Sequence, residues 1–356
     1  GERVRAYHQI LALSERYRIT LATPAHEERD EDAGQIMRKW CEKVLLAPTD
    51  GRKGLLRSGF AALTGGISIT EQHFHSARLV KLIAKEAKHM PFDMVMACSS
   101  AMVNYLPYAG DCPRIMDLVD VDSAKWSAYA EKAGWPKRWV YQREARLVRQ
   151  LEEDAIVHCN KVLLVSEAES RMLGVYPDKV HALSNGVDVE YFQPSRSPQV
   201  VKGSLVFTGT MDYEPNIDGV CWFVNEVWPE LKKKYPEATF TIVGRDPTRV
   251  VKRLEQTSGV KVTGSVPDVR PYLRTAAAAV CPLRIARGIQ NKVLEAMAMG
   301  LPVVASGAAL EGLEVQPDKD VLSADTPEQW LDHLGRLFDD EVYRGCLLYT
   351  SPSPRD

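Results

Sequence analysis

Two polar residues, Lys292 and Glu295, interrupt the apolar run RGIQNKVLEAMAMGLPVVAS, Arg287 to Ser306. Their types and spacing suit two kinds of recognition. A helix N-terminus offers free N–H groups, and a lysine in its first turn adds a full charge, which together make an anion site. A glutamate three residues on accepts hydrogen bonds from neutral hydroxyls. A diphosphate beside a sugar satisfies both groups. The elements that hold them are legible on either side. Gly288 and Ile289 open the unit. Val293, Leu294, Ala296, Met297 and Ala298 supply the apolar positions of a helix. Gly300 stands where a helix C-cap glycine belongs, and Pro302 forbids continuation. Val303, Val304 and Ala305 suit a short strand buried on both faces.

Other candidates lie at the ends of predicted strands. In FTGTMDYEPN, Gly209 and Thr210 follow a strand and Asn216 starts a helix. A glycine there lets backbone approach a phosphate. Arg245 follows TFTIVG, at a carboxyl edge where ligands bind in open α/β sheets. Arg284 precedes the Lys292 helix, and Val266 lies in the loop Gly264–Asp268. Earlier, PRIMDLVDVDS carries Asp117 inside a strand and Asp120 and Asp122 at its end. Alternation would face Asp120 and Asp122 the same way, and such a carboxylate can take a proton from a hydroxyl. Asp122 and Ser123 also suit a helix cap near Ala124. Trp126, Tyr129, Trp135, Trp139 and Tyr141 then crowd one segment with Lys125, Lys132, Lys137 and Arg138. They could stack on sugar rings, rest on a membrane surface, or pack a helical hairpin.

The whole chain supports such a site. Strands and helices alternate throughout its 356 residues, which predicts an α/β fold of two doubly wound, Rossmann-like parallel sheets. The expected domains are residues 1–194 and 203–345, joined by the polar linker 195–202. Residues 346–356 (CLLYTSPSPRD) lack periodicity and read as a non-native tail. The chain opens on a helical pattern, so the native N-terminus and a first strand are expected to be missing. Glu71–His89 reads as one helix, and His26–Asp32 (HEERDED) as a solvated loop. Net charge is −2 and hydrophobic content 45%, giving full cores and no basic field for nucleic acid. The 7 cysteines show no C-x-x-C pair and read as reduced thiols. No apolar stretch reaches the ~20 residues of a membrane span.

The segment around Lys292 and Glu295 resembles the donor-site helix of GT-B-fold, family-4-type retaining glycosyltransferases. That family writes Glu, seven residues, Glu-Ala-Met-Ala, then Gly-x-Pro-Val-Val-Ala. Glu295 matches the second glutamate, whereas Arg287 stands at the first and cannot accept hydroxyl hydrogen bonds. Asn185-Gly186-Val187-Asp188, with Phe192 and Pro194, is typical of these enzymes where the chain leaves the first domain. The likeness spans about Gly1 to Phe338. FTGTMDYEPNIDGVCWF and DLVDVDSAKWSAYA are most similar to the exosortase/PEP-CTERM-associated exopolysaccharide glycosyltransferases of bacteria.

The resemblance implies two domains facing across a cleft and a nucleotide-diphosphate sugar donor. It implies a glycan or lipid-linked glycan acceptor, a retaining hexosyl transfer and no metal or other cofactor. It further implies a cytoplasmic setting, with peripheral contact at the inner face of the membrane. Asp120 and Glu295 are the expected catalytic residues. Gly209, Thr210, Arg245, Val266, Arg284, Gly288, Ile289 and Lys292 are the expected donor-binding set. Two departures stand out. Met211 and Asn216 lie where many members carry a basic pair, and no histidine is available at Val119-Asp120. They keep a noncatalytic nucleotide-sugar-binding protein as the alternative. An epimerase or phosphorylase of the same fold is a further class, but no lysine for a pyridoxal cofactor is evident.

Overall fold

The computed structural model describes residues 2–26, 28–50, 66–174, 176–195, 199–286 and 288–350. Arg287 and residues 351–356 of the expected tail lie outside them, as do residues 196–198 of the expected linker. The chain divides into two compact units, Gly1–Ser184 and Asn185–Asp356.

In the first unit, β1 (Thr20–Ala25) pairs in parallel with β2 (Lys43–Pro48). A second parallel sheet runs β3 (Val95–Cys98), β4 (Arg114–Val119), β5 (Lys161–Leu164), β6 (Val180–Ala182) in that spatial order. In β4, Met116, Asp117, Leu118 and Val119 are all buried, as a strand covered on both faces must be. Met116, Leu118, Val162 and Leu164 pack with Ala155 and Ile156 of the helix Lys137–His158. The expected single helix Glu71–His89 is two, Ile69–Phe74 and Ala77–His89. Ser76 divides them, because its Oγ accepts the Leu79 N–H as the second helix's cap. Its own N–H donates to the Tyr105 hydroxyl, 2.7 Å away. The charged stretch read as a loop instead feeds the helix Glu28–Met37, and the His26 N–H donates to Asp30 Oδ2 at 2.8 Å.

Buried glutamates cap helices here. Glu144 accepts the N–H groups of Ile69 and Thr70 at 2.8 and 2.7 Å. Glu152 accepts the Ser123 N–H at 2.9 Å and its hydroxyl at 2.6 Å. Glu169 accepts the Val121 N–H at 2.7 Å. The helix Asp122–Lys132 therefore has no side-chain bond from its own N-cap, Val121. The cap reading of Asp122 and Ser123 is corrected accordingly: Glu152, 29 residues further along the chain, takes the free N–H of the first turn.

The second unit holds one parallel sheet: β7 (Ser204–Thr208), β8 (Thr239–Val243), β9 (Val260–Val262), β10 (Ala278–Cys281), β11 (Val303–Ala305) and β12 (Leu322–Ser323). Their spatial order is β12-β11-β10-β7-β8-β9. The winding reverses between β7 and β10, the place where open α/β sheets bind ligands. Phe207, Phe223, Phe240, Trp228 and Trp330 fill the core. The helix Pro327–Asp339 starts with a Thr326/Gln329 capping box. A last helix, Glu341–Thr350, enters the stretch read as aperiodic, and Leu347 in it is buried.

Burial pushes the Glu152 carboxyl from its ordinary 4.5 up to about 7, against the opposing Ser123 hydrogen bonds. The folded chain thus keeps a proton that the unfolded chain has released. Its stabilising effect is complete below the unfolded value and is lost as pH rises through about 7, on the order of 3 kcal/mol in all. The melting temperature of the wild type should therefore fall as pH rises from about 5 to about 8. Glu152→Gln should lose that slope. An unchanged slope in the variant would assign the effect to another group.

Candidate functional site

Three elements of the second unit converge at the carboxyl ends of β7 and β10. The first is the turn after β7. The Gly209 N–H donates to the Val243 carbonyl at 3.0 Å. A Cβ at Gly244 would lie 1.6 Å from the Gly209 carbonyl oxygen, so these two loops touch backbone to backbone. The second is the helix Glu214–Trp222. Its Asn216 is buried, and the Asn216 Nδ2 donates to the Thr210 carbonyl at 2.8 Å. The third is the helix Asn291–Ala298. Its Lys292 Nζ donates to Asn216 Oδ1 at 2.6 Å and lies 4.4 Å from the Phe207 ring centroid. A Cβ at Gly209 would come within 2.8 Å of Asn216 Nδ2 and 3.3 Å of Lys292 Nζ. A methyl there would have to push the amide and the ammonium aside.

The electrostatics of this corner are unusual. Burial lowers the Lys292 pKa, and the nearby Cys281 and Glu295 oppose it. Among the described residues no carboxylate lies within ion-pair distance of its ammonium. Burial pushes the Cys281 thiol up to about 11. Burial also raises the Glu295 carboxyl, with Lys292 acting against it. That carboxylate makes no hydrogen bond among the described residues. Gly288, buried at φ +63°, and Ile289 lead into the helix. The helix ends as its sequence requires. Gly300 takes φ +65°, its N–H reaches the Met297 carbonyl, and the Leu301 N–H reaches Ala296.

The other expected donor residues are placed differently. Arg284 is engaged by Asp218 through both Nε, at 3.0 Å, and the closer Nη2. Arg245 is exposed and pairs with Asp246 at 3.3 Å. Val266 is half-buried in the loop after β9. Met211, at one position of the missing basic pair, is a fully buried core residue. Asn216, at the other, holds Lys292. Sequence reading treated Asn216 as a lost cation, and nothing along 76 residues of chain could signal its contact with Lys292. Phe207 was missed for the same reason.

In the first unit, β4 ends in a local irregularity. The pairing register with β5 shifts between Asp117 and Val119. Val119 adopts φ +68°, a region that β-branched residues rarely enter. Asp117 Oδ1 accepts the Val119 N–H at 3.1 Å, while Oδ2 accepts from Arg5 Nε at 2.7 Å and Gln9 Nε2 at 2.6 Å. Asp120 and Asp122 do converge, but not by strand alternation, since the strand stops at Val119 and Asp122 lies in the next helix. They meet on Lys125, whose Nζ is 2.9 Å from Asp120 Oδ2 and 3.0 Å from Asp122 Oδ1. Asp122 also accepts from the Ser100 hydroxyl at 2.9 Å.

Comparison with known proteins fits this geometry. Residues 202–340 match the family model described as Glycosyl transferases group 1. The crystal structure of Anabaena Alr3699/HepE in complex with UDP and glucose superposes with a TM-score of 0.68 at 14% identity, covering 98% of this chain and 89% of that one. TarM gives a TM-score of 0.59 at 12% identity over 76% of this chain, which spans only 53% of TarM's length. A Klebsiella pneumoniae protein described as an uncharacterized 44.6 kDa protein in the cps region is 19% identical over 333 residues, 89% of this chain and 81% of that protein. The α/β fold with parallel sheets is that of GT-B glycosyltransferase structures. With the matched domain, it supports a GT-B glycosyltransferase.

The two close glycines make separable predictions. Gly244→Ala drives a methyl into backbone and should cost about 1–3 kcal/mol in denaturant unfolding. Gly209→Ala meets only movable side-chain ends. It should cost less, yet displace the Lys292 ammonium and weaken anion binding. Equal destabilisation of the two variants would contradict the packing described.

Proposed function

We propose that the chain transfers a hexosyl group from a nucleotide-diphosphate sugar to a hydroxyl of a glycan or lipid-linked glycan precursor in exopolysaccharide synthesis. One observation carries the donor half: a largely buried ammonium that donates to the Asn216 amide oxygen over the Phe207 ring, with no carboxylate within ion-pair distance among the described residues, set beside close backbone at the sheet's switch point. A diphosphate supplies the missing counter-charge. The solved structures of Anabaena Alr3699/HepE with UDP and with UDP-glucose support a nucleotide sugar, and the cps-region relative supports the exopolysaccharide setting.

In this reading Gly209, Thr210, Gly288 and Ile289 offer backbone to the diphosphate, and Lys292 neutralises it as the sugar–phosphate bond breaks. The reaction then draws on no metal or other cofactor. Glu295 accepts from a ribose or sugar hydroxyl, and the Val266 loop borders the base. Arg245 and Arg284 join the phosphates by exchanging their present carboxylate partners. Asp120 draws the proton from the acceptor hydroxyl. The transfer is assigned as retaining on the family resemblance alone, and the setting as cytoplasmic. The second reading, a noncatalytic nucleotide-sugar-binding protein, is favoured by one observation: Arg284 is already occupied by Asp218. Donor turnover by the purified chain separates the two, since binding without hydrolysis or transfer supports the second.

Lys292→Ala should weaken UDP binding at least about tenfold in titration calorimetry and weaken UMP binding less. Equal losses for the two nucleotides would remove the lysine from the distal phosphate. Asp120→Asn should lower transfer by roughly 10²–10⁴. UDP affinity should stay unchanged, because the donor residues all belong to Asn185–Asp356. Wild-type transfer by this variant would exclude Asp120 as the base.

A further inference from the structure

The aromatic segment of the first unit splits into two groups. Trp126, Tyr129 and Tyr141 contact one another, with ring centroids 5.5–6.1 Å apart, and so join the helices Asp122–Lys132 and Lys137–His158. Trp135 and Trp139 do not take part. Trp135 is 88% exposed and Trp139 51% exposed, and neither makes an aromatic contact among the described residues. They occupy the tip where the two helices join. Trp135 gains almost nothing from folding, although its indole is the largest apolar group available.

The charge around these rings is one-sided. Lys132, Lys137 and Arg138 are exposed beside them, and none forms an ion pair among the described residues. Glu131 is the single acid from residue 131 to residue 139. Indoles suit the headgroup level of a bilayer, with an apolar body and one polar N–H. Cations around them suit anionic lipid phosphates.

We propose that the tip formed by Lys132–Trp139 docks on an anionic lipid bilayer. Trp135 and Trp139 insert at headgroup depth, and Lys132, Lys137 and Arg138 contact the lipid phosphates. This inference stands on the first unit's surface and does not rest on the donor assignment.

The test is sedimentation of the full chain with vesicles of phosphatidylcholine containing about a third phosphatidylglycerol, against phosphatidylcholine alone. The chain should bind the anionic vesicles more tightly, and added salt should weaken that binding. Trp135→Ala combined with Trp139→Ala should reduce partitioning at least about tenfold. Each of Lys132→Gln, Lys137→Gln and Arg138→Gln should reduce it about fivefold. Because these side chains are exposed, melting temperature and UDP affinity should not change, which separates failure here from failure of the donor reading. Equal binding to both vesicles, or no binding to either, overturns the proposal. So does a tryptophan double variant that binds like wild type. Retained fluorescence response to a free glycan without vesicle binding would assign the rings to sugar stacking instead and also overturn it.

Discussion

The placement of the Lys292 ammonium governs the second unit. An ammonium moved out of water loses solvation that a neutral amide and an aromatic face restore only in part. Folding accepts that cost because several elements collapse onto the same corner. Phe207 lies in β7, Asn216 comes from the next helix, and Lys292 comes from the helix after β10. Gly209 is bare so that amide and ammonium can approach the turn. Gly244 is bare so that the neighbouring loop can reach Gly209. That crowding, around an ammonium with no carboxylate at ion-pair distance among the described residues, is the ground for the anion site proposed above.

The first unit solves a different problem with buried carboxylates. Asp117 sits in the middle of a strand covered on both faces, where an unpaired charge would be prohibitive. Arg5 and Gln9 meet one of its oxygens, and the Val119 N–H meets the other. That last bond accompanies the left-handed turn at Val119, which ends the strand and leads the chain into Asp120. Strain of this kind persists only where surrounding contacts over-determine it. Glu144, Glu152 and Glu169 extend the same logic, each satisfying free N–H groups at the start of an element far from it in sequence. The Asp120–Lys125–Asp122 cluster is thus held by a helix whose cap is Glu152.

Sequence alone determined the parts whose physics is local. Alternating apolar runs and turn residues marked most strands, and Gly300 with Pro302 marked where the Lys292 helix must end, because a left-handed residue there has few alternatives to glycine. That Lys292 and Glu295 share that helix was legible from their place in the apolar run. β6 and β12 escaped, being short segments whose strand state depends on a neighbour to pair with, and so did β2, whose pairing with β1 no local pattern announces. The break at Ser76 escaped because it is made by Tyr105, and the capping role of Glu152 because its partner is on another helix. Only the tertiary structure showed that Asn216 is the partner of Lys292 rather than a missing cation. Only it divided five aromatics of similar appearance into three that pack and two that face solvent. Those outcomes are contacts between distant residues, and no local pattern carries the information about which surfaces will meet.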